Sequence, residues 1–332
     1  MNQAILDSIC RTTADYRADE GLQPTHDRVI RWVSQFDEEV REDLLIEVDH
    51  VLKHTYISKE KMNNFLKNLS FNQELTENNP SNFWTRTGLL AIQKLGNSQK
   101  EMYEIFLNIL KEKFNIAPPT NHTNIVNFVY MDDGIFSGGH IRGEIGEWIK
   151  SVAPIDADVH IIVFASHTGG QYFAETKLNE AIRSSGKTIR LHWWYAVEIE
   201  DRKYHINNSD VLRPKSIPQT QQIVKFFNTF QEEYRSPKLR SDDSVGSQKF
   251  FRSSAGRNLL EQQFLMVGAN ILESCQNLTG KKRPLGYAVL ETPGFGSMTV
   301  TYRNCPNNCP LALWVGYPWI PLFPRKTNQP SF

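Results

Sequence analysis

Two hydrophobic rhythms follow one another along the chain. From Thr25 to about Leu69 apolar residues recur at helical spacing. Val29, Trp32, Val33 and Phe36 form one face, and Val40, Leu44, Leu45, Val48, Val51 and Leu52 form another. Asp37 and Ser58 offer N-cap side chains before new periodic runs, and Glu38 and Glu39 suit the positive end of the helix that follows. A helical region is expected over 1–79. Asn78, Asn79, Pro80 and Ser81 then break the chain.

After that break the rhythm becomes short apolar runs alternating with helical patterns. It predicts strands over 88–93, 125–131, 159–165 and 188–195, and helices over 99–113, 139–150 and 172–184. The unbroken runs IVNFVYM and VHIIVFA suit strands covered on both faces, which is the pattern of a parallel sheet under helices. Short connections fit βαβ units with right-handed crossovers. The expected fold class is α/β, with a parallel sheet over 80–200 and an α+β extension over 201–332 that packs on it. Within that extension the pattern predicts a helix near 221–234, a mobile loop at SPKLRSDDSVGSQ, a helix over 255–275 and strands near 285–290 and 298–302. The proline- and aromatic-rich tail LALWVGYPWIPLFPR is expected to pack on the core.

Composition narrows the function. A chain of 332 residues with 40% hydrophobic residues buries a full core without metals or disulfides. Lys+Arg and Asp+Glu both number 37, so no global basic field gathers nucleic acid. No apolar window is long enough to span a bilayer, and no membrane association is expected. Cys10, Cys275, Cys305 and Cys309 make no disulfide framework, and the opening MNQAILDSIC lacks the pattern of a secretory signal. A reducing, cytoplasmic setting is expected. His50 and His54 share a helix face without a third ligand, and Cys305 with Cys309 supplies two thiols, so neither pair makes a zinc site.

Chemistry concentrates in one stretch between a buried strand and a helix: Asp132, Asp133, Gly134, Ile135, Phe136, Ser137, Gly138, Gly139 and His140. Ligands of open α/β sheets sit beyond the carboxyl ends of the strands, where a helix start near Gly139 aims its amides and positive dipole end. The glycines admit a close anion and Ser137 adds a hydroxyl donor. Asp132 and Asp133 suit a pair of sugar hydroxyls or a hydrated Mg²⁺. The combination describes a ribose 5-phosphate pocket. No P-loop or dinucleotide fingerprint is present. His167, at the end of the next strand, is a candidate acid/base facing the same crevice, and Trp193, Trp194 and Tyr195 end the fourth strand.

Residues 128–140 resemble the signature of the phosphoribosyltransferase superfamily: a hydrophobic strand, two acidic residues, a short spacer, then a hydroxyl residue and two glycines. The resemblance implies that Asp132 and Asp133 hold the ribose of phosphoribosyl pyrophosphate while 134–139 wraps its 5-phosphate, with Mg²⁺ accompanying the pyrophosphate. It also implies a pyrophosphate loop after an earlier strand, for which Lys94, Gly96, Asn97 and Ser98 are the candidates. Two features depart from the family pattern. His140 stands where a hydroxyl residue is usual, and only 115–124 is available for a catalytic hood.

The flanking THDRVIRWVSQF, RPLGYAVLE and TYRNCPNNCPLALWV resemble phosphoribosyltransferase-like proteins of bacterial conflict systems, including effectors beside retron reverse transcriptases. That resemblance implies an anti-phage toxin effector acting on a ribosyl-phosphate or nucleotide substrate. Its implied partners are a reverse transcriptase–nucleic acid complex or a winged-helix protein, and self-association is compatible with it. The competing expectation is a sensor that binds the same ligand without turnover.

Overall fold

A computed structural model describes residues 2–94, 97–118, 125–233, 237–275, 278, 281–289 and 291–325. Contacts gather them into two compact units, one made of 2–59 with 199–325 and the other of 60–198. The sequence pattern suggests breaks at 79 and 200, whereas contacts break at 59 and 198.

The second unit carries the sheet. Helices α4 (Lys59–Ser70) and α5 (Pro80–Thr85) precede β2 (Thr87–Leu89), α6 (Ser98–Phe114), β3 (Asn127–Ile135), α7 (Gly139–Ser151), β4 (Asp156–His167), α8 (Thr168–Ser185) and β5 (Thr188–Ile199). The strand order is β2-β3-β4-β5. β2, β3 and β4 are parallel, with Phe128 opposite Val159 and Asp132 opposite Val163. Arg190 and His192 of β5 bond Asp158, and Trp194 bonds His160, so β5 advances in step with β4.

Alternation assigns the two faces. Phe128, Tyr130, Val159, Ile161 and Val163 join Ile141, Ile145, Trp148 and Leu178 of α7 and α8 in one buried cluster. On the opposite face Phe164 meets Phe65 of α4, His160 meets Phe83 of α5, and the Tyr103 hydroxyl of α6 donates to Leu90 O and Val129 O. Residues 60–70, read from sequence as N-terminal, belong to this unit because Phe65 reaches the sheet.

The first unit is helical. It contains α1 (Gln3–Thr12), α2 (His26–Val33), α3 (Arg41–Thr55), α9 (Gln221–Glu233), α10 (Ser254–Ser274) and α11 (Leu311–Trp314). The two-residue strands β1 (Tyr56–Ile57) and β8 (Val300–Thr301) pair in parallel. β6 (Lys282–Arg283) and β7 (Gly286–Tyr287) form a minimal hairpin, so the strands expected near 285–290 and 298–302 shrink to these short pairings. Trp32 packs edge-on against Phe36 and Phe264 and donates to Ala312 O, which draws the tail inward.

Glu261 on α10 accepts from Arg240 and Arg257 at 2.8 and 2.9 Å, with all three side chains sealed from water. Arg240 lies in the stretch predicted to be a mobile loop. Its ion pair, together with Gln248 N donating to Asp210, pins that stretch in place.

Candidate functional site

The site grows from the way βαβ units run. Each helix returns antiparallel to the strand before it, so α6, α7 and α8 begin at the carboxyl edge of the sheet, after β2, β3 and β4. Their N-cap positions are Asn97, Gly138 and His167, and none closes its helix with a side-chain hydrogen bond. By contrast Asn2, Thr25, Asn79 and Ser253 cap α1, α2, α5 and α10 through their side chains. The three starts bring positive dipole ends to one edge, and at α6 the Gln93 side chain takes the Gln99 amide.

The signature segment is more strand and less loop than its composition suggests. β3 continues through Asp132, Asp133, Gly134 and Ile135, with Gly134 opposite Ala165 and Ile135 opposite Ser166. Gly134 and the buried Ile135 are therefore strand residues, a correction to their reading as phosphate-loop residues. The turn itself is Phe136, Ser137 and Gly138, with Ser137 exposed, and Gly139 and the exposed His140 open α7. Gly138 holds φ +73°, and a Cβ there would run into Gly170 O. A Cβ on Gly170 would run into Phe136 O. Glycine on both sides lets the turn lie backbone-to-backbone on the first turn of α8.

β3 runs through both carboxylates, and neighbouring strand residues point to opposite faces, so Asp132 and Asp133 diverge. Asp132 is only 8% exposed and accepts from Asp133 N at 2.8 Å, while Asp133 is half-buried. The expected clasp by two equivalent acids is thus unequal. Beneath the turn the Tyr130 hydroxyl donates to Glu144 Oε2 at 2.7 Å. Burial, then the carboxylates of Asp132 and Glu144, push the Tyr130 phenol far up, so it stays protonated.

Glu144 also accepts from Lys94 N at 3.3 Å, tying the segment after β2 to α7. Sequence reading missed Glu144. Its signal is a carboxylate on the stripe of Ile141, Ile145 and Trp148, where the pattern calls for an apolar residue.

The segment after β2 is folded by a pair of glutamines. Gln99 Oε1 accepts from Ile92 N and Gln93 N, and Gln93 Oε1 accepts from Gln99 N. Gln93 Nε2 donates to Ser98 Oγ. Of the pyrophosphate candidates, Asn97 is exposed, Ser98 is buried at the start of α6, and Gly96 lies outside the described residues. Lys94 Nζ pairs with Glu147 instead of facing the strand tips. A cleft of about 450 Å³ opens beside this segment, lined by Leu89, Gln93, Asn97, Gln99, Lys100 and Tyr103.

His167 departs from its expected place. It is 0% exposed, its ring lies 4.8 Å from that of Phe136, and Nδ1 is 2.7 Å from Ile135 O. A carbonyl only accepts, so Nδ1 carries a proton and the ring fastens the end of β4 to the end of β3. This histidine is built into the floor of the turn and does not face the crevice.

Among the described residues no group of three or more His, Cys, Asp or Glu side chains could hold a metal ion. No described helix is long and apolar enough to cross a membrane. Comparison with curated proteins returns no match. A family model described as PRTase-CE matches residues 29–325, taking in the sheet, the turn after β3 and most of the helical unit. On that match, together with its parallel α/β sheet, the chain belongs to the PRTase-CE family and carries a phosphoribosyltransferase-like domain.

Proposed function

We propose that this chain acts on a ribosyl-phosphate substrate, phosphoribosyl pyrophosphate or a nucleotide, bound at the carboxyl edge of the sheet. The observation that carries the reading is the glycine-clamped turn after β3, which opens α7 at that edge with no side chain on its N-cap residue. In this scheme the amides opening α7 and the Ser137 hydroxyl take the 5-phosphate. Asp133, the more open carboxylate, takes a ribose hydroxyl, and Asp132 supplies negative potential from beneath. Positive charge grows at the anomeric carbon as the leaving group departs, and two nearby carboxylates stabilise it.

Ahead of α6 the exposed Asn97 meets the pyrophosphate, Ser98 being buried with its Oγ bonded to Gln93 Nε2. Asp133 suits a Mg²⁺ that arrives with the diphosphate, since such an ion keeps most of its water and needs only one or two carboxylates. When bound it would offset charge on the leaving group. The biological setting we propose is an anti-phage effector of retron type in the cytoplasm, held silent by a reverse transcriptase–nucleic acid complex or a winged-helix partner.

A second reading, a sensor that binds without turnover, is favoured by one observation. His167 is sealed into the floor, so it offers no proton transfer to a ligand. The two readings separate when purified protein is incubated with phosphoribosyl pyrophosphate and nucleotides plus Mg²⁺ and products are followed by mass. A product that vanishes in Asp133→Asn supports the enzyme. Binding without product, even with the partner complex added, leaves the sensor. No binding of either ligand class rejects both.

A further inference from the structure

Among the described residues β5 is the outer strand of the four-stranded sheet and spans twelve residues, as long as its neighbour β4. β2, at the other edge, has three. An outer strand leaves one row of N–H and C=O groups without a sheet partner, and proteins usually blunt such an edge with proline, lysine, a bulge or a short strand. β5 contains no Pro, Gly or Lys. Its centre reads His192-Trp193-Trp194-Tyr195-Ala196-Val197, with Tyr195 38% exposed and Ala196 exposed. Its two fully charged residues, Arg190 and Glu198, are both exposed, opposite in sign, and four positions either side of Trp194.

That symmetry specifies a partner. We infer that β5 pairs antiparallel with β5 of a second copy of this chain, with Trp194 on the two-fold axis. In this register Arg190 faces the partner's Glu198, Leu191 faces the partner's Val197, His192 faces the partner's Ala196, and Trp193 faces the partner's Tyr195. Each pair occurs twice by symmetry. One face of the joined sheet gains aromatic and aliphatic cross-strand pairs, and the other gains opposite charges flanking two tryptophans.

Moving the centre to Trp193 sets Arg190 against Ala196 and Glu198 against Thr188, which pairs neither charge. Moving it to Tyr195 sets Arg190 against Glu200, which lies past the end of β5 and exchanges hydrogen bonds with Asp210. Asp158 and Asp156 hold the Arg190 guanidinium through Nε and Nη2, so it is ordered before a partner arrives and Nη1 is the end that reaches across. Tyr195 donates to Glu198 Oε2, a bond that opens as Tyr195 turns to the partner's Trp193 and so releases the carboxylate to that arginine.

Sedimentation of the full chain, with Cys10→Ser and Cys275→Ser to remove the half-buried thiols, tests this directly. The expected mass is twice the 38.3 kDa of the chain, falling to a single chain in Tyr195→Glu. His192→Cys with Ala196→Cys tests the register without relying on that variant's folding. Within one strand these positions are about 13 Å apart and cannot bridge, whereas across the proposed pair they are opposite. Oxidation should therefore link two chains in the double variant and in neither single one. A single-chain mass at the highest concentration the protein tolerates overturns the proposal. So does a dimer that ignores both Tyr195→Glu and the cysteine positions.

Discussion

Gly138 and Gly170 set the geometry of the turn, and they make the sharpest single-residue test. Gly138→Ala places a Cβ at φ +73° against Gly170 O, and Gly170→Ala drives one into Phe136 O. Each is expected to cost about 1–3 kcal/mol and to abolish ligand binding. Gly139→Ala, whose Cβ would meet only Ser137 Oγ at 3.7 Å, should leave stability nearly unchanged. Thermal melts with and without phosphoribosyl pyrophosphate measure both effects. Tyr130→Phe removes one donor from the buried Glu144 carboxylate and should cost about 1–3 kcal/mol, read by urea denaturation. Gly138 was legible from sequence because a glycine pair before a helix has few other uses, whereas Gly170 takes its role from Phe136 O, which only the fold brings beside it. Glu144 and the burial of His167 were not legible, since a polar residue in one dimension carries no sign of the backbone carbonyl or tyrosine that satisfies it.

At the scale of elements, the join between β4 and β5 is acid-sensitive. His160 is held down to about 4 by burial first and by His192 second. Between its ordinary 6.5 and about 4 the unfolded chain binds a proton that the folded chain refuses, so stability falls as pH drops through that window. The full effect is about 3 kcal/mol. Asp158 is lowered to about 2, chiefly by its hydrogen bond from Arg190, so its contribution stays intact above about 4 and fades only in stronger acid. The protection factors of β5 amides, with the intrinsic slowing of exchange in acid divided out, should fall from pH 6.5 to 4, and His160→Gln should flatten that fall. The strands themselves were legible from IVNFVYM and VHIIVFA, but their ends were not. Aspartate and glycine read as the close of a strand, yet the register with Val163, Ala165 and Ser166 carries β3 three residues past Asp132.

Over the whole molecule, the helical unit is organised around a carboxylate that local pattern cannot reveal. Glu261 meets Arg257 on its own helix and Arg240 from a polar stretch that sequence alone reads as loose. Glu261→Gln strands two buried guanidinium groups and should cost about 3–5 kcal/mol. Breaking the exposed Lys177–Glu180 pair with Lys177→Ala should cost less than about 1 kcal/mol. Urea denaturation of the two variants compares them. That 2–59 closes on 199–325 was invisible for the same reason, because contacts such as Trp32 with Phe264 or Tyr56 with Val300 join residues more than two hundred positions apart. The central claim concerns the turn after β3, and amide hydrogen exchange of the full chain with and without phosphoribosyl pyrophosphate and Mg²⁺ tests it most directly. The expected result is new protection in the peptide spanning 132–142, lost in Gly138→Ala. Protection confined to other segments, or none at saturating ligand, would contradict it.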